Sequence, residues 1–176
     1  MLTHDTAHLR DRIRDVPDYP KPGIVFKDIT PLMQDALAMR EVVSRMAAPF
    51  ADQGVSQVVG IESRGFIFGA AIAFALHAGF VPVRKPGKLP AATHRCEYLL
   101  EYGSDALEIH CDALKPRERV LIVDDVLATG GTAAAVVELA GKLEADVVGL
   151  SFLIELDVLK GRDRLTGFEV ASLLRY

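Results

Sequence analysis

The chain contains little cysteine, and this limits the kinds of site that it can hold. Only Cys96 and Cys111 occur among its 176 residues, too few for a disulfide framework or a cysteine-based zinc site. We therefore predict two free thiols in a reducing cytoplasm. His4 and His8 are four residues apart, but they lack the nearby carboxylates that would complete a metal site.

The sequence also lacks an excess of positive charge and a long unbroken apolar run. Its formal net charge is -4, so no general attraction draws it to the phosphates of nucleic acids. The most apolar stretch, residues 65–83, is interrupted by His77, Gly79 and Pro82, which argues against a transmembrane helix. The N-terminal residues are polar and charged, unlike a secretory signal. We expect a cytoplasmic protein that binds small molecules, without a nucleic-acid or membrane partner.

Strand and helix patterns alternate along most of the chain. Short apolar runs typical of buried strands occur at residues 57–61, 80–84, 119–125 and 147–154. Helical spacing of apolar residues occurs at 35–50, 66–79 and 132–143. This alternation predicts an α/β fold with a central parallel sheet, flanked by helices and joined by right-handed crossovers.

Two segments depart from this alternation. Residues 5–16 predict a short amphipathic helix that ends at Pro17, and the proline-rich residues 17–31 predict an irregular loop. Residues 84–110 mix glycine, proline and basic residues before a predicted hairpin of 98–102 with 106–110. Since no linker divides the chain, we predict a single domain, 1–176. In it, residues 1–30 form a small hood and residues 84–110 a flexible loop and hairpin.

The most informative segment is residues 120–132, with the sequence VLIVDDVLATGGT. Four apolar residues predict a buried parallel strand, which places Asp124 and Asp125 at its carboxyl end, where ligands bind in open α/β sheets. The glycines and threonines that follow predict a phosphate-binding turn at a helix N-terminus. Carboxylates would repel a phosphate, but they accept hydrogen bonds from sugar hydroxyls. The combination predicts a site for a ribose 5-phosphate.

The alternative interpretation of this segment is a purely structural turn in which Asp125 caps the helix. The order and spacing of the carboxylates, glycines and threonines argue against it. The segment matches neither the P-loop pattern nor the dinucleotide-binding glycine pattern.

Positive charge is concentrated at two places that could serve an anionic ligand. Arg64 lies in the loop after the strand 57–61, so it is expected at the same sheet edge as the two aspartates. Arg84, Lys85 and Lys88 lie within five residues of one another. Arginine forks and lysine charges both bind phosphate oxygens. A solvated basic loop is the alternative interpretation.

The segment 120–132 resembles the signature of the type I phosphoribosyltransferases, which bind 5-phosphoribosyl 1-diphosphate. Four further segments resemble the adenine-specific members of that family in the same order along the chain. They are YPKPGIVFKDITP, GIESRGFIFG, VRKPGKLP and LEYGSDALEIH. The resemblance covers nearly the whole chain and implies the transfer of a 5-phosphoribosyl group to N9 of adenine, with AMP and diphosphate as products.

The resemblance also implies roles for individual residues. The ribose and its 5-phosphate are assigned to Asp124, Asp125, Ala128, Thr129, Gly130, Gly131 and Thr132. The diphosphate is assigned to Ser63, Arg64, Arg84, Lys85 and Lys88, with a strained peptide before the serine. Adenine is assigned to Val25, Phe26, Lys27, Arg64, Val126 and Leu127. Stacking on the Phe26 ring and backbone hydrogen bonds at Val25 would hold the purine.

Glu101 is predicted to be the catalytic acid/base group, because the matching glutamate of the family contacts the purine nitrogens, where a proton must leave. The resemblance further implies Mg²⁺, held mainly through 5-phosphoribosyl 1-diphosphate, and a homodimer. Lys27 stands where the family has arginine, and residues 91–96 differ from the family's small and acidic residues. Another purine acceptor, a non-catalytic sensor of the same ligand, and a plain nucleotide-binding module are the alternative functions.

Overall fold

The computed structural model describes residues 6–99 and 104–176, and the chain forms two compact units, Met1–Val42 and Val43–Tyr176. The α-helices are α1 (Ala7–Arg10), α2 (Thr30–Gln34), α3 (Ala36–Ala47), α4 (Gly65–Ala75) and α5 (Gly131–Lys142). The strands are β1 (Arg14–Pro17), β2 (Val25–Asp28), β3 (Gln57–Ile61), β4 (Gly79–Val83), β5 (Thr93–Leu99), β6 (Ser104–His110), β7 (Arg119–Leu127), β8 (Asp146–Glu155) and β9 (Val170–Arg175). Short 3-10 helices occupy Ala48–Phe50, Asp157–Leu159 and Gly161–Leu165.

The first unit corrects two predictions from the sequence. The helix predicted over residues 5–16 ends at Arg10, and Arg14–Pro17 form the strand β1 instead. The loop predicted over residues 17–31 contains β2, which pairs with β1 in an antiparallel ribbon. Pro17 is compatible with this ribbon because both strands of a two-stranded sheet are edge strands, where a missing amide donor is tolerated. A Lys27–Asp15 ion pair of 2.7 Å joins the two strands.

Asp35 caps helix α3, as aspartate commonly does at a helix N-terminus. Its Oδ1 atom accepts hydrogen bonds from the amides of Leu37 and Ala38, at 2.9 and 3.1 Å. The other carboxylate oxygen accepts a 2.6 Å hydrogen bond from Nε of Arg12. The cap satisfies amide groups that have no partner within the helix.

The second unit confirms the predicted parallel sheet. Its five strands lie in the order β4-β3-β7-β8-β9, and neighbouring strands are parallel. The central strands are apolar on both faces, and Val59, Leu121 and Ile122 are fully buried, as expected when helices cover both sides. The edge strand β9 was not predicted, because most of its residues are only half-buried and its pattern is weak.

The order in which successive strands are added to the sheet changes direction between β3 and β7. From β3 it passes through α4 to β4 on one side, and from β7 it passes through α5 to β8 on the other. The carboxyl ends of β3 and β7 are neighbours at this switch point, where open α/β sheets bind ligands. This topology places the two loops that follow β3 and β7 at one edge.

Helix α4 is apolar over its whole length, with the sequence GFIFGAAIAFA. Phe68 and Ile72 are fully buried, whereas the Phe74 side chain is 86% exposed and Ile67 is 43% exposed. Within residues 6–99 and 104–176, no helix has both the length and the apolar character needed to span a membrane.

Candidate active site

The two carboxylates lie near the end of β7, which continues to Leu127. Asp125 is 6% exposed, and Oδ1 of Asp124 accepts a 2.9 Å hydrogen bond from the amide of Asp125. Burial raises the pKa of Asp124 well above its ordinary value, and the adjacent Asp125 charge raises that pKa further. Burial also raises the pKa of Asp125, although the nearby Arg64 guanidinium opposes this effect. Burial therefore disfavours the charged form of both carboxylates.

Arg64 joins the loop after β3 to the end of β7. Its Nη2 atom lies 2.6 Å from Oδ2 of Asp125, while its backbone stands immediately before the first residue of α4. The structure thus brings together two residues that the sequence had placed at the same sheet edge. The Glu62–Ser63 peptide bond just before Arg64 is cis.

Gly65 allows the start of α4 to approach the acidic pair closely. A Cβ atom at this position would lie 2.7 Å from Oδ1 of Asp124 and 3.0 Å from the backbone oxygen of Val123. Any side chain would therefore displace the Asp124 carboxylate or the end of β7. In the sequence, Gly65 is only the residue after Arg64. Its contact with Asp124 could not be predicted, because the two residues are about sixty positions apart.

The turn after β7 forms a cleft together with Asp124. Gly130 has a φ of 78°, a left-handed conformation that favours glycine, and α5 begins at the next residue. The cleft is lined by Asp124, Val126, Leu127, Ala128, Thr129, Gly130, Thr132, Ala133 and Phe152. It combines a carboxylate, two threonine hydroxyls and a helix N-terminus, a set suited to a phosphorylated sugar. Phe152, on β8, was not predicted to lie here.

The basic residues after β4 have partners that the sequence did not reveal. Arg84 binds Glu62 through a fork, with Nε–Oε2 and Nη2–Oε1 distances of 3.2 and 3.1 Å. Burial alone would raise the pKa of Glu62, but its hydrogen bonds to Arg84 and to the amide of Lys85 hold that pKa below its ordinary value. The ammonium group of Lys85 lies 3.2 Å from Oδ2 of Asp105. Lys88 is exposed.

A hairpin is present as β5 and β6, but the predicted pairing of residues 98–102 with 106–110 is wrong. Residues 106–110 pair with residues 93–97 instead, because β5 begins already at Thr93. The hydroxyl of Tyr98 lies 3.5 Å from Oδ2 of Asp105. The Asp105 carboxylate therefore contacts both Tyr98 of the hairpin and Lys85 after β4. Glu101, the predicted acid/base residue, lies outside the residues that the structure describes.

The predicted adenine-binding residues fall on both units. In the first unit, Val25 is 50% exposed and the Phe26 ring meets Tyr19 edge-on at 5.3 Å. The contact of Tyr19 with Phe26 was not predicted. The sequence signal that could have indicated it is an aromatic residue within the proline-rich segment. In the second unit, Val126 is half-buried and Leu127 is buried, and both line the cleft.

Comparison with known proteins agrees with this geometry. A phosphoribosyl transferase domain family matches residues 34–167. The adenine phosphoribosyltransferase of Clostridium perfringens strain SM101 is 59% identical over 168 residues, which cover 96% of this chain and 98% of the relative.

Solved structures agree as well. The adenine phosphoribosyltransferase of Rhodothermus marinus has a TM-score of 0.93 and 51% identity, with 97% of each chain covered. The enzyme of Saccharomyces cerevisiae, solved with D-2,5-dideoxy-2,5-imino-altritol 1,6-bisphosphate and adenine, has a TM-score of 0.90 and 40% identity over 96% of this chain and 97% of its own. The chain therefore belongs to the phosphoribosyltransferase family and, within it, to the adenine phosphoribosyltransferases.

Proposed function

We infer that the chain transfers the 5-phosphoribosyl group of 5-phosphoribosyl 1-diphosphate to N9 of adenine, a reaction of purine salvage. The bond between C1 and a diphosphate oxygen breaks, a bond between C1 and N9 forms, and the N9 proton leaves. AMP and diphosphate are the products. The observation that carries this inference is the cleft in which Asp124 and the turn around Thr129 and Gly130 lie together, at the switch point of the parallel sheet.

The ribose hydroxyls are proposed to bind Asp124 and Asp125, and the 5-phosphate to bind the turn Ala128–Thr132. Supporting this division, the carboxylates stand on β7 while the turn stands at the N-terminus of α5, which favours negative charge. Fixing both ends of the sugar orients C1 for attack. As positive charge develops on the ribose in the transition state, the buried carboxylates also stabilise it.

The diphosphate is proposed to bind Ser63, Arg64, Arg84, Lys85 and Lys88. These cations would stabilise the charge that grows on the leaving group as the C1–O bond breaks. In the structure Arg64 is held by Asp125, Arg84 by Glu62 and Lys85 by Asp105. Lys85 is 57% exposed, so this ion pair is weak and can be exchanged for diphosphate.

Adenine is proposed to stack on Phe26 and to form backbone hydrogen bonds at Val25. Contacts of the base with Lys27, Arg64, Val126 and Leu127 stay predictions from the resemblance. The experiment that tests the function is an assay of diphosphate release with a panel of free bases, in the presence of 5-phosphoribosyl 1-diphosphate and Mg²⁺. We expect turnover with adenine and little with hypoxanthine, guanine or xanthine. Turnover with none of these bases, or release that does not depend on adenine, would contradict the assignment.

We propose that Mg²⁺ accompanies the diphosphate. The two aspartate side chains offer hard oxygen donors, and Mg²⁺ is commonly held by one or two carboxylates together with substrate phosphates. Among the residues that the structure describes, no group of three or more histidine, cysteine or carboxylate side chains is placed to hold an ion. When bound, Mg²⁺ would neutralise part of the diphosphate charge.

Removal of Mg²⁺ is expected to abolish adenine-dependent diphosphate release. A chelator such as EDTA in excess should stop turnover because the leaving group then keeps its full charge, and added Mg²⁺ should restore it. A matched addition of EDTA already saturated with Mg²⁺ serves as the control. Full turnover in metal-free buffer would show that the ion is dispensable.

We propose that the chain forms a homodimer through the exposed face of α4, defined by Ile67, Ala70 and Phe74. These residues share one side of the helix and are all exposed. A helix that is apolar all round is normally covered, and an exposed apolar patch of this kind marks an interaction surface. Because the face carries no charge, it can pack against its own copy in a two-fold interface.

Phe74→Glu is expected to convert the dimer to a monomer, since association would remove a carboxylate of each subunit from water. Sedimentation velocity measures the change directly. Leu37→Glu is the control, because Leu37 is 76% exposed on α3 and lies outside the α4 face. A dimeric Phe74→Glu variant would place the interface elsewhere, and a monomeric parent chain would exclude the dimer.

The cytoplasmic location stays a prediction from the sequence.

A further inference from the structure

The segment that follows β8, residues 156–162, lies directly against the turn proposed to bind the 5-phosphate. A Cβ atom built on Gly161 would overlap the carbonyl oxygen of Ala128 and would lie 2.8 Å from the amide nitrogen of Gly130. A Cβ atom built on Gly130 would in turn overlap the carbonyl oxygen of Gly161. The two backbones are therefore in contact without intervening side chains, and the contact tolerates only glycine at both positions.

This segment is tied to the ends of two sheet strands. The amide of Leu156 donates a 2.9 Å hydrogen bond to the carbonyl oxygen of Leu127, the last residue of β7. Leu156 also follows β8 directly. This hydrogen bond fixes the start of the segment at the residue where β7 passes into the turn. The turn and the segment are therefore held at the same point of the sheet.

Arg162, next to Gly161, anchors the other side of the contact. Its guanidinium forks onto Glu155 at 3.0 and 2.6 Å and donates a 2.7 Å hydrogen bond to the carbonyl oxygen of Val170. Glu155 is only 3% exposed, and the hydrogen bonds from Arg162 hold its pKa below the ordinary value although burial opposes this. A buried carboxylate with a forked arginine is a rigid attachment. It fixes Gly161 relative to β8 and β9.

We propose that Gly161 and Arg162 are positioning residues for the 5-phosphate of the substrate, acting through the turn Ala128–Gly130. This inference rests on the proposed function of the cleft and identifies the backbone of Gly161 as the support of its phosphate-binding turn. The backbone of Gly161 stops the turn from moving away from the bound phosphate, and the Arg162–Glu155 pair holds that backbone in place. Neither residue touches the reacting atoms. Displacement of a binding turn by about 1 Å costs up to about 100-fold in rate.

Gly161→Ala tests the proposal with one methyl group. We expect kcat/KM for 5-phosphoribosyl 1-diphosphate to fall about 10- to 100-fold, mainly through a higher KM, with an unchanged KM for adenine. Titration calorimetry should show weaker binding of ribose 5-phosphate but unchanged binding of diphosphate. The matched control is Gly141→Ala, the same substitution in α5, where a Cβ atom meets nothing within 4 Å. It should leave every constant unchanged.

Arg162→Lys is the second variant and decides the outcome if Gly161→Ala does not fold. It keeps the positive charge beside Glu155 but loses the fork, so we expect a folded protein with the same selective rise in the KM for 5-phosphoribosyl 1-diphosphate, on the order of 10-fold. A folded variant of either kind with unchanged binding of ribose 5-phosphate, or with an equal loss for both substrates, would overturn the inference. If the parent protein bound neither ribose 5-phosphate nor 5-phosphoribosyl 1-diphosphate, the proposed function itself would be wrong.

Discussion

Glu101→Gln is expected to lower kcat for AMP formation by a factor of about 10² to 10⁴, the range that a positioned general acid or base contributes. Glutamine keeps the size of the side chain and its hydrogen-bonding atoms but cannot accept the proton that leaves adenine as N9 forms the glycosidic bond. The KM for 5-phosphoribosyl 1-diphosphate should change little, because the assigned group acts on the base. Steady-state kinetics over a range of pH measures both effects.

The matched control is Glu97→Gln on the same hairpin. The Glu97 side chain is 69% exposed and pairs with the exposed Arg95 at 3.1 Å, so its loss should not alter kcat. A Glu101→Gln variant that converts adenine at the parental kcat would remove Glu101 from the mechanism. An equal effect of the two variants would instead indicate a general disturbance of the hairpin.

Asp124→Asn is expected to lower activity and to raise stability at the same time. A lost charged hydrogen bond to the ribose corresponds to about 1.5–3 kcal/mol, so kcat/KM for 5-phosphoribosyl 1-diphosphate should fall by about 10- to 100-fold. Asparagine can still accept the 2.9 Å hydrogen bond from the amide of Asp125. The loss therefore reports on the charge and not on a collapsed turn.

The stability gain follows from the raised pKa of Asp124. Between the ordinary carboxyl pKa of the unfolded chain, 3.8, and the higher pKa of the folded chain, the folded state binds more protons. The free energy of unfolding therefore decreases as pH rises through this window, and Asp124 makes the fold less stable at neutral pH than at acidic pH. Asparagine removes that cost, and each kcal/mol recovered should raise Tm by about 2–4 °C.

Calorimetry at pH 7 and at acidic pH checks this prediction. The gain in Tm should be largest at neutral pH and should shrink as pH falls, since Asp124 is then already protonated in the parent. Asp52→Asn is the control, because Asp52 is exposed and its change should leave Tm and kinetics unaltered. A lower Tm for Asp124→Asn would contradict the assigned cost of the buried charge, and full turnover would contradict its role in binding ribose.

Local patterns in the sequence predicted the parts of the molecule that neighbouring residues decide. The apolar run before Asp124 predicted a strand buried on both faces, and that strand lies at the centre of the sheet. The glycines and threonines after it predicted a turn into a helix, which is α5. Alternation of strand and helix then predicted that Arg64 and Asp125 would meet at one edge, because parallel strands bring their carboxyl ends together.

The strands β1 and β9 show where such local patterns are insufficient. Arg14–Pro17 have charges and apolar residues at a spacing that also suits a helix, and only pairing with Val25–Asp28 makes them a strand. In β9, Val170–Arg175 gain their structure from pairing with β8 at the edge of the sheet. Propensity is a weak determinant wherever pairing with a distant segment outweighs it.

The sequence by itself determined the chemistry available at the site: two adjacent carboxylates, a glycine and threonine turn, and a set of cations in an otherwise acidic chain. Only the tertiary structure decided the partners, since Glu62 binds Arg84, Asp105 binds Lys85 and Gly161 supports Gly130. These contacts join residues about twenty or more positions apart, and no local pattern encodes them. They exist because the folded sheet aligns the ends of its strands, so that backbone approach and charge pairing are settled by packing in three dimensions.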